Sequence, residues 1–371
     1  MKKKIIAAGH ICIDITPVFS KKDACSNVSE LLEPGKLIHM DRADVHTGGS
    51  VANTGLALKM LGADVQLMGK VGNDAFGDMI QQIVNHYDAG GLIVDQDSST
   101  SYSVVIAIPG IDRIFLHNPG ANDTFSNADI PEKDLEDAVF FHFGYPPIMK
   151  KIYENDGAEL VTILKRMKGK GIATGLDLAA IDPDSEAGKA DWQRILEKSL
   201  PFVDFFVPSF EELCFMLDRK KYDTLLRSGK DMTEILSMEK DVKPLADELL
   251  HMGSKIALIK CGTAGMYCKT ASQSALKEVG SRLDLDVALW ADKEGIQPCF
   301  RADTVLSATG AGDTSIAAFL TAVLRGYGPE KCVALAAAEG ACCVTAYDAL
   351  SGLKSLEELE EKMGSGWKTR G

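Results

Sequence analysis

The sequence lacks any long hydrophobic run, which excludes a transmembrane helix, because a span needs about 20 consecutive apolar residues. It also lacks a surplus of basic residues: 40 Lys and Arg against 53 Asp and Glu give a formal net charge of −13. A nucleic-acid surface needs clustered basic side chains. We therefore expect neither a membrane nor a nucleic acid among the partners of this chain.

No C-x-x-C pair occurs among the nine cysteines, and their number is odd. This pattern favours neither a disulfide framework nor a structural zinc site. A reduced compartment is the simplest interpretation. The basic start at Lys2 to Lys4 imitates a secretory signal, but the apolar run that follows is broken at Gly9. The sequence therefore predicts a cytoplasmic protein.

Short apolar runs alternate with helical patterns over most of the 371 residues, which fits one large domain or two. Such alternation favours a parallel sheet with helices on both faces. Strands are predicted at 5–13, 65–69, 139–143, 172–176, 202–207 and 255–260. Helices are predicted at 52–61, 75–87, 159–168, 192–200, 210–217, 245–252, 315–325 and 356–363. Segments 218–244 and 270–298 are polar and weakly periodic, which is typical of surface insertions.

Two segments interrupt this alternation. Residues 15–45 have no helical period, and residues 101–117 form a hairpin pattern around Pro109-Gly110. Both are rich in β-forming residues. They predict a small additional sheet over a site, although two surface excursions without a role would give the same pattern.

The strongest local signal is a glycine-rich turn, Thr309-Gly310-Ala311-Gly312-Asp313, between a strand pattern and an apolar helix. Glycines at such a junction let backbone N–H groups converge at the positive end of the helix dipole, which suits a phosphoryl group. Asp313 could take a proton from an attacking hydroxyl, or it could simply cap the helix. No G-K-[ST] follows the turn, and Ser315 interrupts a G-x-G-x-x-G pattern, so a P-loop and a dinucleotide site are both disfavoured.

A second glycine pair stands at the start of a predicted helix, in His46-Thr47-Gly48-Gly49-Ser50-Val51-Ala52-Asn53. Paired glycines allow a ligand to approach the backbone closely, and Asn53 offers both donors and acceptors to a polyhydroxylated substrate. A tight turn followed by a polar first helical residue would explain the same letters.

Taken together and in this order, the two segments resemble the two signatures of the ribokinase-like (phosphofructokinase-B type) carbohydrate kinase family. The resemblance extends from Gly9 to about Leu350. It implies one three-layer α/β/α domain over residues 1–371, with a central, mostly parallel sheet. It also implies a small β-sheet lid formed by about 15–45 and 101–118. The implied activity is ATP-dependent phosphotransfer to a hydroxyl of a sugar or sugar-like molecule.

The resemblance also implies roles for individual residues. Asp313 would be the general base, and the amides of Ala311, Gly312 and Asp313, in the catalytic turn that begins at Gly310, would form the anion hole. The acceptor would lie against Asp14, at the end of the first strand, and against Gly48, Gly49 and Asn53.

For the nucleotide, the segment Lys260-Cys261-Gly262-Thr263-Ala264-Gly265 resembles the nucleotide loop of the family. Lys260, Gly262 and Gly265 would bind ATP, although Lys260 could instead be a solvated lysine at a strand end. Glu212 would organise Mg²⁺ through water, or it could merely favour the start of a helix.

Two positions depart from the pattern of the family. Ser209 replaces the usual Asn near the phosphates, so a direct contact there is in doubt. Ser307 replaces an Asp that belongs to the monovalent-cation site of potassium-activated members, so a requirement for K⁺ stays open. Arg113, in the hairpin, could contact the substrate or could be a solvated arginine.

Substrate identity is the least determined feature. Asp177-Leu178-Ala179-Ala180 does not match the Asp-x-Asn-x-x-Arg-like stretch of keto-deoxy sugar acid kinases, and a neutral sugar or a nucleoside is favoured. The alternatives are a nucleoside kinase of the same fold or a catalytically idle sensor of sugars or nucleotides. The resemblance also makes a homodimer through the lid possible, which would cover exposed sheet edges, and a monomer is the alternative.

Overall fold

A computed structural model of the chain describes residues 3–20, 24–111 and 114–370. Within these residues, the main sheet has eight strands in the order β14-β13-β12-β11-β10-β9-β1-β4. They are β1 (Lys4–Gly9), β4 (Asp64–Met68), β9 (Ala138–Gly144), β10 (Ala173–Leu176), β11 (Phe205–Phe206), β12 (Ile256–Lys260), β13 (Met266–Thr270) and β14 (Glu294–Gln297). The six strands from β4 to β12 pair in parallel, and β13 and β14 continue the sheet antiparallel.

Helices cover both faces of this sheet. They are α1 (Ser50–Met60), α2 (Ala75–His86), α3 (Lys150–Gly169), α4 (Trp192–Ser199), α5 (Phe210–Leu217), α6 (Arg219–Arg227), α7 (Met232–Ile235), α8 (Lys243–His251), α9 (Gln273–Leu276), α10 (Val287–Trp290), α11 (Ala311–Leu324), α12 (Pro329–Cys343) and α13 (Leu356–Gly364). Successive strand residues point to opposite faces, so Ile5 packs in the core under α1, α11 and α12, whereas Ile6 packs in the core under α3, α4 and α8. The predicted three-layer α/β/α fold is confirmed.

A second, four-stranded sheet stands apart from the first, in the order β3-β2-β7-β8. Its strands are β2 (Cys12–Thr16), β3 (Asp44–Gly48), β7 (Tyr102–Ile106) and β8 (Ile114–Asn118). Strands β7 and β8 are antiparallel, as the hairpin pattern predicted. Two further short strands, β5 (Lys70–Gly72) and β6 (Ile93–Asp95), pair only with each other among the described residues.

The predicted first strand, 5–13, is wrong in one respect, because the chain changes sheets within it. Gly9 ends β1 with a φ of +126°, and a Cβ there would lie 2.2 Å from the carbonyl oxygen of Gly144. The buried Asn122 side chain then accepts a hydrogen bond from Ile11 N and donates one to Ile11 O. Asp14 therefore lies in β2, within the small sheet, and not at the end of the first strand.

Three other elements differ from the sequence-based prediction. Segment 270–298 is not only a surface insertion, because it supplies β14, the edge strand of the main sheet. Helix α3 begins at Lys150, about two turns before the predicted start, with a break in helical geometry at Glu154–Gly157. Helix α12 was not predicted, since its small, nearly uniformly apolar residues show little of the periodicity that marks an amphipathic helix.

Among the residues that the structure describes, no helix combines the length and the apolar composition needed to cross a membrane. The nine cysteines are all free thiols, and seven of them are buried.

Helix α12 carries one charged group into the core. Glu339 is fully buried, and both of its carboxylate oxygens lie 3.3 Å from the backbone N of Lys354, just before α13. Burial raises the pKa of Glu339 to about 8. In the unfolded chain the same carboxyl ionises near its ordinary pKa, so the native state binds one proton more between the two values. This group therefore lowers stability progressively as the pH rises from the unfolded to the folded pKa.

We predict that Glu339→Gln raises the free energy of unfolding by about 2–4 kcal/mol near pH 8, because the amide has no ionisation to suppress. The gain should shrink toward zero near pH 4.5. Urea denaturation at several pH values measures it. Glu361→Gln, which removes an exposed carboxylate on α13, is the matched control and should change stability little. A gain for Glu339→Gln that does not depend on pH would contradict this account.

Candidate active site

A cavity of about 1380 Å³ lies between the carboxyl ends of the parallel strands and the small sheet. Ligands of open α/β sheets bind at this edge, because the loops that follow the strands converge there. One wall comes from the small sheet and includes Asp14, Tyr102 and Ser103. The opposite wall includes Lys260 and the turn at 308–313. The cavity thus brings together the residues of both predicted glycine-rich signals.

The glycine-rich turn ends at Gly310, which is the N-cap of α11 and has a φ of +76°. A Cβ at Gly310 would lie 2.2 Å from the Cβ of Ala349, so a larger residue has neither the conformation nor the space. No side chain caps the helix, and its first turn contains Ala311, Gly312 and Asp313. Ala311 N donates to the carbonyl oxygen of Ala308 at 3.3 Å, so the N–H groups of Gly312 and Asp313 are the ones that make the cavity end of α11 suited to an anion.

Asp313 is buried at the base of the cavity and accepts hydrogen bonds from three side chains. Asn53 Nδ2 donates to Oδ2 at 3.1 Å, and Thr54 Oγ1 donates to Oδ1 at 3.0 Å. The Tyr145 hydroxyl lies 3.0 Å from Oδ1 and 2.8 Å from Oδ2. Burial raises the pKa of Asp313, and the hydrogen bonds from Tyr145 and Asn53 oppose that rise. Asp313 therefore does not act as a side-chain cap: its carboxylate is held by a network that spans the domain.

Tyr145 was not identified from the sequence. It follows β9 directly and has a left-handed backbone, with φ at 66° and ψ at 42°. A signal for it exists, because a polar residue after a buried parallel strand points to the ligand edge of the sheet. The strand pattern at 139–143 is followed by Gly144-Tyr145.

His10 was also missed, although it lines the cavity. Its ring stacks on Tyr145 with centroids 6.2 Å apart, and its Nε2 lies 3.3 Å from the Ser101 hydroxyl. His117, on β8, is 5.2 Å from it. Burial lowers the pKa of both histidines, and the charge of His117 lowers the pKa of His10 further, so both rings are neutral near pH 7.

Asp14, on β2, and Gly48, on the neighbouring strand β3, are in close contact. A Cβ on Gly48 would lie 2.1 Å from Asp14 Oδ2, so only glycine leaves room for the carboxylate. Cys12 Sγ donates to Asp14 Oδ1 at 3.4 Å, and burial raises the pKa of Asp14. Asp14 lines the cavity, whereas Gly48 lies behind it.

Gly49 caps α1 with a φ of +85°, where a Cβ would lie 2.6 Å from both the Nδ1 and the carbonyl oxygen of His10. Asn53, in the first turn of the same helix, lines the cavity as well. The second glycine pair therefore serves packing, through Gly48, and cavity shape, through Gly49.

Lys260 ends β12 and is not a solvated lysine. Its ammonium lies 2.7 Å from Asp177 Oδ1 and also donates to the carbonyl oxygen of Val207. Burial alone would lower the pKa of Lys260, but the carboxylates of Asp177, Glu212 and Asp313 raise it. The lysine is therefore charged, and its partner Asp177 was not among the predicted site residues. A Cβ on Gly312 would lie 3.8 Å from the ammonium, which puts Lys260 beside the glycine-rich turn.

Ser209 and Glu212 form a capping box at the start of α5. Ser209 N donates to Glu212 Oε2 at 2.7 Å, and Glu212 N donates to Ser209 Oγ at 3.2 Å. Both residues also line the cavity. Glu212 therefore stabilises the start of a helix and also borders the cavity, so the two alternatives given for it from the sequence do not exclude each other.

In the predicted nucleotide loop, Gly262 lines the cavity and Gly265 does not. Their φ values are +52° and +106°, and a Cβ on Gly265 would lie 2.2 Å from the carbonyl oxygen of Gln297, at the end of β14. Thr233, on α7, reaches the cavity next to Gly262, with its hydroxyl 3.1 Å from that of Thr263. The supposed surface insertion 218–244 therefore contributes to the site.

Two of the predicted positions, Arg113 and Ser307, are not among the described residues that line the cavity. Arg113 lies outside the described residues. Ser307 donates to the Thr309 hydroxyl, and the carbonyl oxygen of Val344 accepts from Leu306 N at 2.8 Å. The monovalent-cation site therefore stays a prediction.

Comparison with known proteins identifies this arrangement of sheet, small sheet and glycine-rich turn. The profile of the pfkB family carbohydrate kinases matches residues 2–356. The chain belongs to the pfkB family of carbohydrate kinases.

Two curated relatives and one solved structure illustrate the range of this kinase family. Fructokinase-2 of Oryza sativa subsp. japonica is 24% identical over 328 residues, covering 85% of this chain and 84% of its own. The nucleoside kinase of Methanocaldococcus jannaschii is 23% identical over 367 residues, covering 97% of both chains. A ribokinase II type protein of E. coli, solved with ATP and Mg²⁺, is 18% identical with a TM-score of 0.71, covering 98% of this chain and 100% of its own.

The lining of the cavity is predominantly acidic. Its described lining residues include one ammonium, that of Lys260, and seven carboxyls: Asp14, Asp123, Asp177, Asp182, Glu211, Glu212 and Asp313. An excess of carboxylates repels a bare triphosphate and favours one that is accompanied by a divalent cation.

The residues present therefore fit Mg²⁺ bound jointly with a nucleotide. Among the described residues, no group of three or more His, Cys, Asp or Glu side chains could hold a metal alone. Mg²⁺ does not need such a cage, because it is commonly held by one or two carboxylates together with phosphate oxygens and water. Glu212, which borders the cavity near Lys260 and Asp177, is the carboxylate best suited to this role.

We predict that Gly48→Ala lowers the free energy of unfolding by about 1–3 kcal/mol, because the added methyl group overlaps the Asp14 carboxylate. The same substitution in an Asp14→Ala background should cost much less, since the overlapping group has been removed. Urea denaturation of the four chains in this double-mutant cycle measures the coupling. An equal cost in both backgrounds would show that Gly48 has another function.

Proposed function

We propose that this kinase transfers the γ-phosphoryl group of ATP to a hydroxyl of a neutral sugar or nucleoside, with Asp313 as the general base. One observation carries the proposal: the buried Asp313 carboxylate lines the cavity from the first turn of α11, at the N-terminal end of that helix. A base and an anion-binding helix end side by side are what transfer of a charged group from a neutral nucleophile requires.

The acceptor is proposed to bind between Asp313 and the small sheet. Asp14 and Asn53 line this half of the cavity and offer hydrogen-bond acceptors and donors to hydroxyl groups. His10 and His117 border it in neutral form. No positively charged side chain lines this half among the described residues. This arrangement supports a neutral acceptor over a sugar phosphate or a sugar acid.

ATP is proposed to bind across the other half of the cavity. The Lys260 ammonium and the N–H groups of Gly312 and Asp313 would contact its phosphates, and the backbone at Gly262 and Ser209 would border it. Gly265 would act indirectly, by allowing the loop to pack on β14.

The Glu212 carboxylate borders the phosphate half of the cavity, and Mg²⁺ bound there, through water, would neutralise charge on the phosphates. Lys260 and the first-turn N–H groups of α11 would orient the γ-phosphoryl group toward the acceptor hydroxyl.

In the proposed step, the acceptor oxygen forms a bond to the γ-phosphorus while the bond from that phosphorus to the bridging oxygen of ADP breaks. The proton of the acceptor hydroxyl moves to a carboxylate oxygen of Asp313. The N–H groups at the start of α11 stabilise the charge on the transferring group. The small sheet would close over the acceptor as a lid and exclude water, which favours transfer to the acceptor over hydrolysis.

The small sheet is also the surface proposed for a homodimer. Its edge strands β3 and β8 carry exposed apolar side chains: Val45, Ile114, Phe115 and Leu116. A second copy of the chain could cover these edges. The dimer stays a prediction.

A nucleoside acceptor is a second candidate, supported by the aromatic character of the acceptor half. His10, Tyr102, His117 and Tyr145 all line it, and Phe115 borders it from the small sheet. A planar base could stack on such rings, and so could the apolar face of a sugar. Relative turnover of free ribose and of ribonucleosides separates the two candidates.

We predict that Asp313→Asn lowers kcat by about 10²–10⁴-fold, because the amide cannot take the proton of the acceptor. Binding of MgATP should be nearly unchanged, since the phosphate contacts come from other groups. Steady-state ADP release with an acceptor, together with calorimetric titration of MgATP, measures both effects.

Asp303→Asn is the matched control, because Asp303 is exposed and does not line the cavity. It should retain normal turnover. Comparable turnover in Asp313→Asn would refute the assignment of the base. The idle-sensor alternative predicts a different result: tight ligand binding with no turnover even in the unaltered chain.

A further inference from the structure

The Tyr145 hydroxyl occupies the part of the Asp313 carboxylate that faces the cavity. It lies 3.0 Å from Oδ1 and 2.8 Å from Oδ2, so it donates to both oxygens. The other two donors, Asn53 and Thr54, come from α1 and take one oxygen each. Thr54 is fully buried and does not line the cavity, whereas Asn53 and Tyr145 do, and of these two only Tyr145 contacts both carboxylate oxygens.

The backbone at Tyr145 is held in a conformation that tyrosine rarely adopts. Its φ of 66° is in the left-handed region, which is unfavourable for a residue with a side chain. Pro146 and Pro147 follow it, and Gly144 before it packs so closely that a Cβ would lie 1.7 Å from Ser50 Oγ. The stacked ring of His10 also supports the phenol. The surrounding structure therefore maintains a strained residue whose hydroxyl meets the carboxylate.

This position creates competition for the base. An acceptor hydroxyl must form a hydrogen bond with Asp313 before it can lose its proton. It can approach only from the cavity, which is the side that the phenol occupies. A water molecule that enters the cavity without an acceptor meets the same obstacle.

We propose that Tyr145 is a positioning residue that occupies the Asp313 carboxylate until an acceptor hydroxyl displaces it, and thereby limits phosphoryl transfer to water. The proposal rests on the proposed function, because it needs Asp313 to be the base. The reaction that it limits is hydrolysis: a water oxygen bonds to the γ-phosphorus of ATP, the bond to the ADP oxygen breaks, and the water proton moves to Asp313. The products are ADP and inorganic phosphate.

The test is the rate of ADP release from ATP and Mg²⁺ with no acceptor present. Tyr145→Phe keeps the ring and its packing but removes the hydroxyl, so water can reach the carboxylate. We expect acceptor-free hydrolysis to rise about 10-fold or more, the factor that corresponds to losing one hydrogen bond to a charged group. A rate equal to or below that of the unaltered chain overturns the proposal. A residue that only fills space would give that result, because the ring remains.

A second substitution of Tyr145 and a control substitution of another tyrosine accompany this test. Tyr145→Asn also removes the phenol, and asparagine tolerates the left-handed backbone well, so it should show the same rise even if the Phe chain folds poorly. Tyr87→Phe is the matched control: Tyr87 lies outside the cavity lining, at the end of α2, and its loss of a hydroxyl should leave acceptor-free hydrolysis unchanged. A similar rise in Tyr87→Phe would overturn the proposal.

The double variant Tyr145→Phe/Asp313→Asn separates failure of this proposal from failure of the proposed function. If Asp313 is the base that Tyr145 occupies, the added hydrolysis disappears in the double variant. If the added hydrolysis persists, it does not pass through Asp313 and the occupied-base proposal is wrong, whereas the assignment of the base is decided separately, by the effect of Asp313→Asn on transfer to an acceptor. If Tyr145→Phe shows no rise while Asp313→Asn still abolishes transfer to an acceptor, only the inference about Tyr145 fails.

Discussion

The structure of the site depends on one buried carboxylate and the side chains that hold it. Asp313 accepts hydrogen bonds from Asn53, Thr54 and Tyr145, which come from α1 and from the end of β9. A buried carboxylate without partners would be costly, so this network joins three parts of the domain at the cavity. It also fixes the proposed base at the start of α11, where the proposal has the N–H groups stabilise a transferring phosphoryl group.

The charges around this network constrain which ligands can bind. Carboxylates outnumber the single ammonium of Lys260 among the described residues of the cavity. A triphosphate can bind only with a cation, and an anionic acceptor has no cationic partner in the described half of the site that faces the small sheet. The same electrostatic balance thus supports both a magnesium nucleotide and a neutral acceptor.

Much of the fold could be predicted from the sequence, because buried strands and amphipathic helices have clear periods. The split of the first strand at Gly9 could not, since the residues on both sides are equally apolar and only tertiary contacts send the chain into a second sheet. Helix α12 was missed for a related reason, because it is apolar on nearly all sides.

The residues of the site likewise divide into those that local sequence motifs predicted and those that only the folded chain brings together. Local motifs predicted Asp313, Gly49 and Asn53, because their chemistry lies in consecutive residues. Tyr145 and Asp177 could not be found in this way, since each follows a different strand and joins the site only when the parallel strands align. Spatial convergence leaves little trace in a single sequence.

Mass spectrometry of a panel of neutral sugars and nucleosides, each incubated with the protein, ATP and Mg²⁺, tests the central claim most directly. The account predicts that at least one neutral acceptor gains a single phosphoryl group, with ADP formed in equal amount. Phosphorylation confined to compounds that already carry a carboxylate or a phosphate would contradict it, and so would the absence of any phosphorylated product.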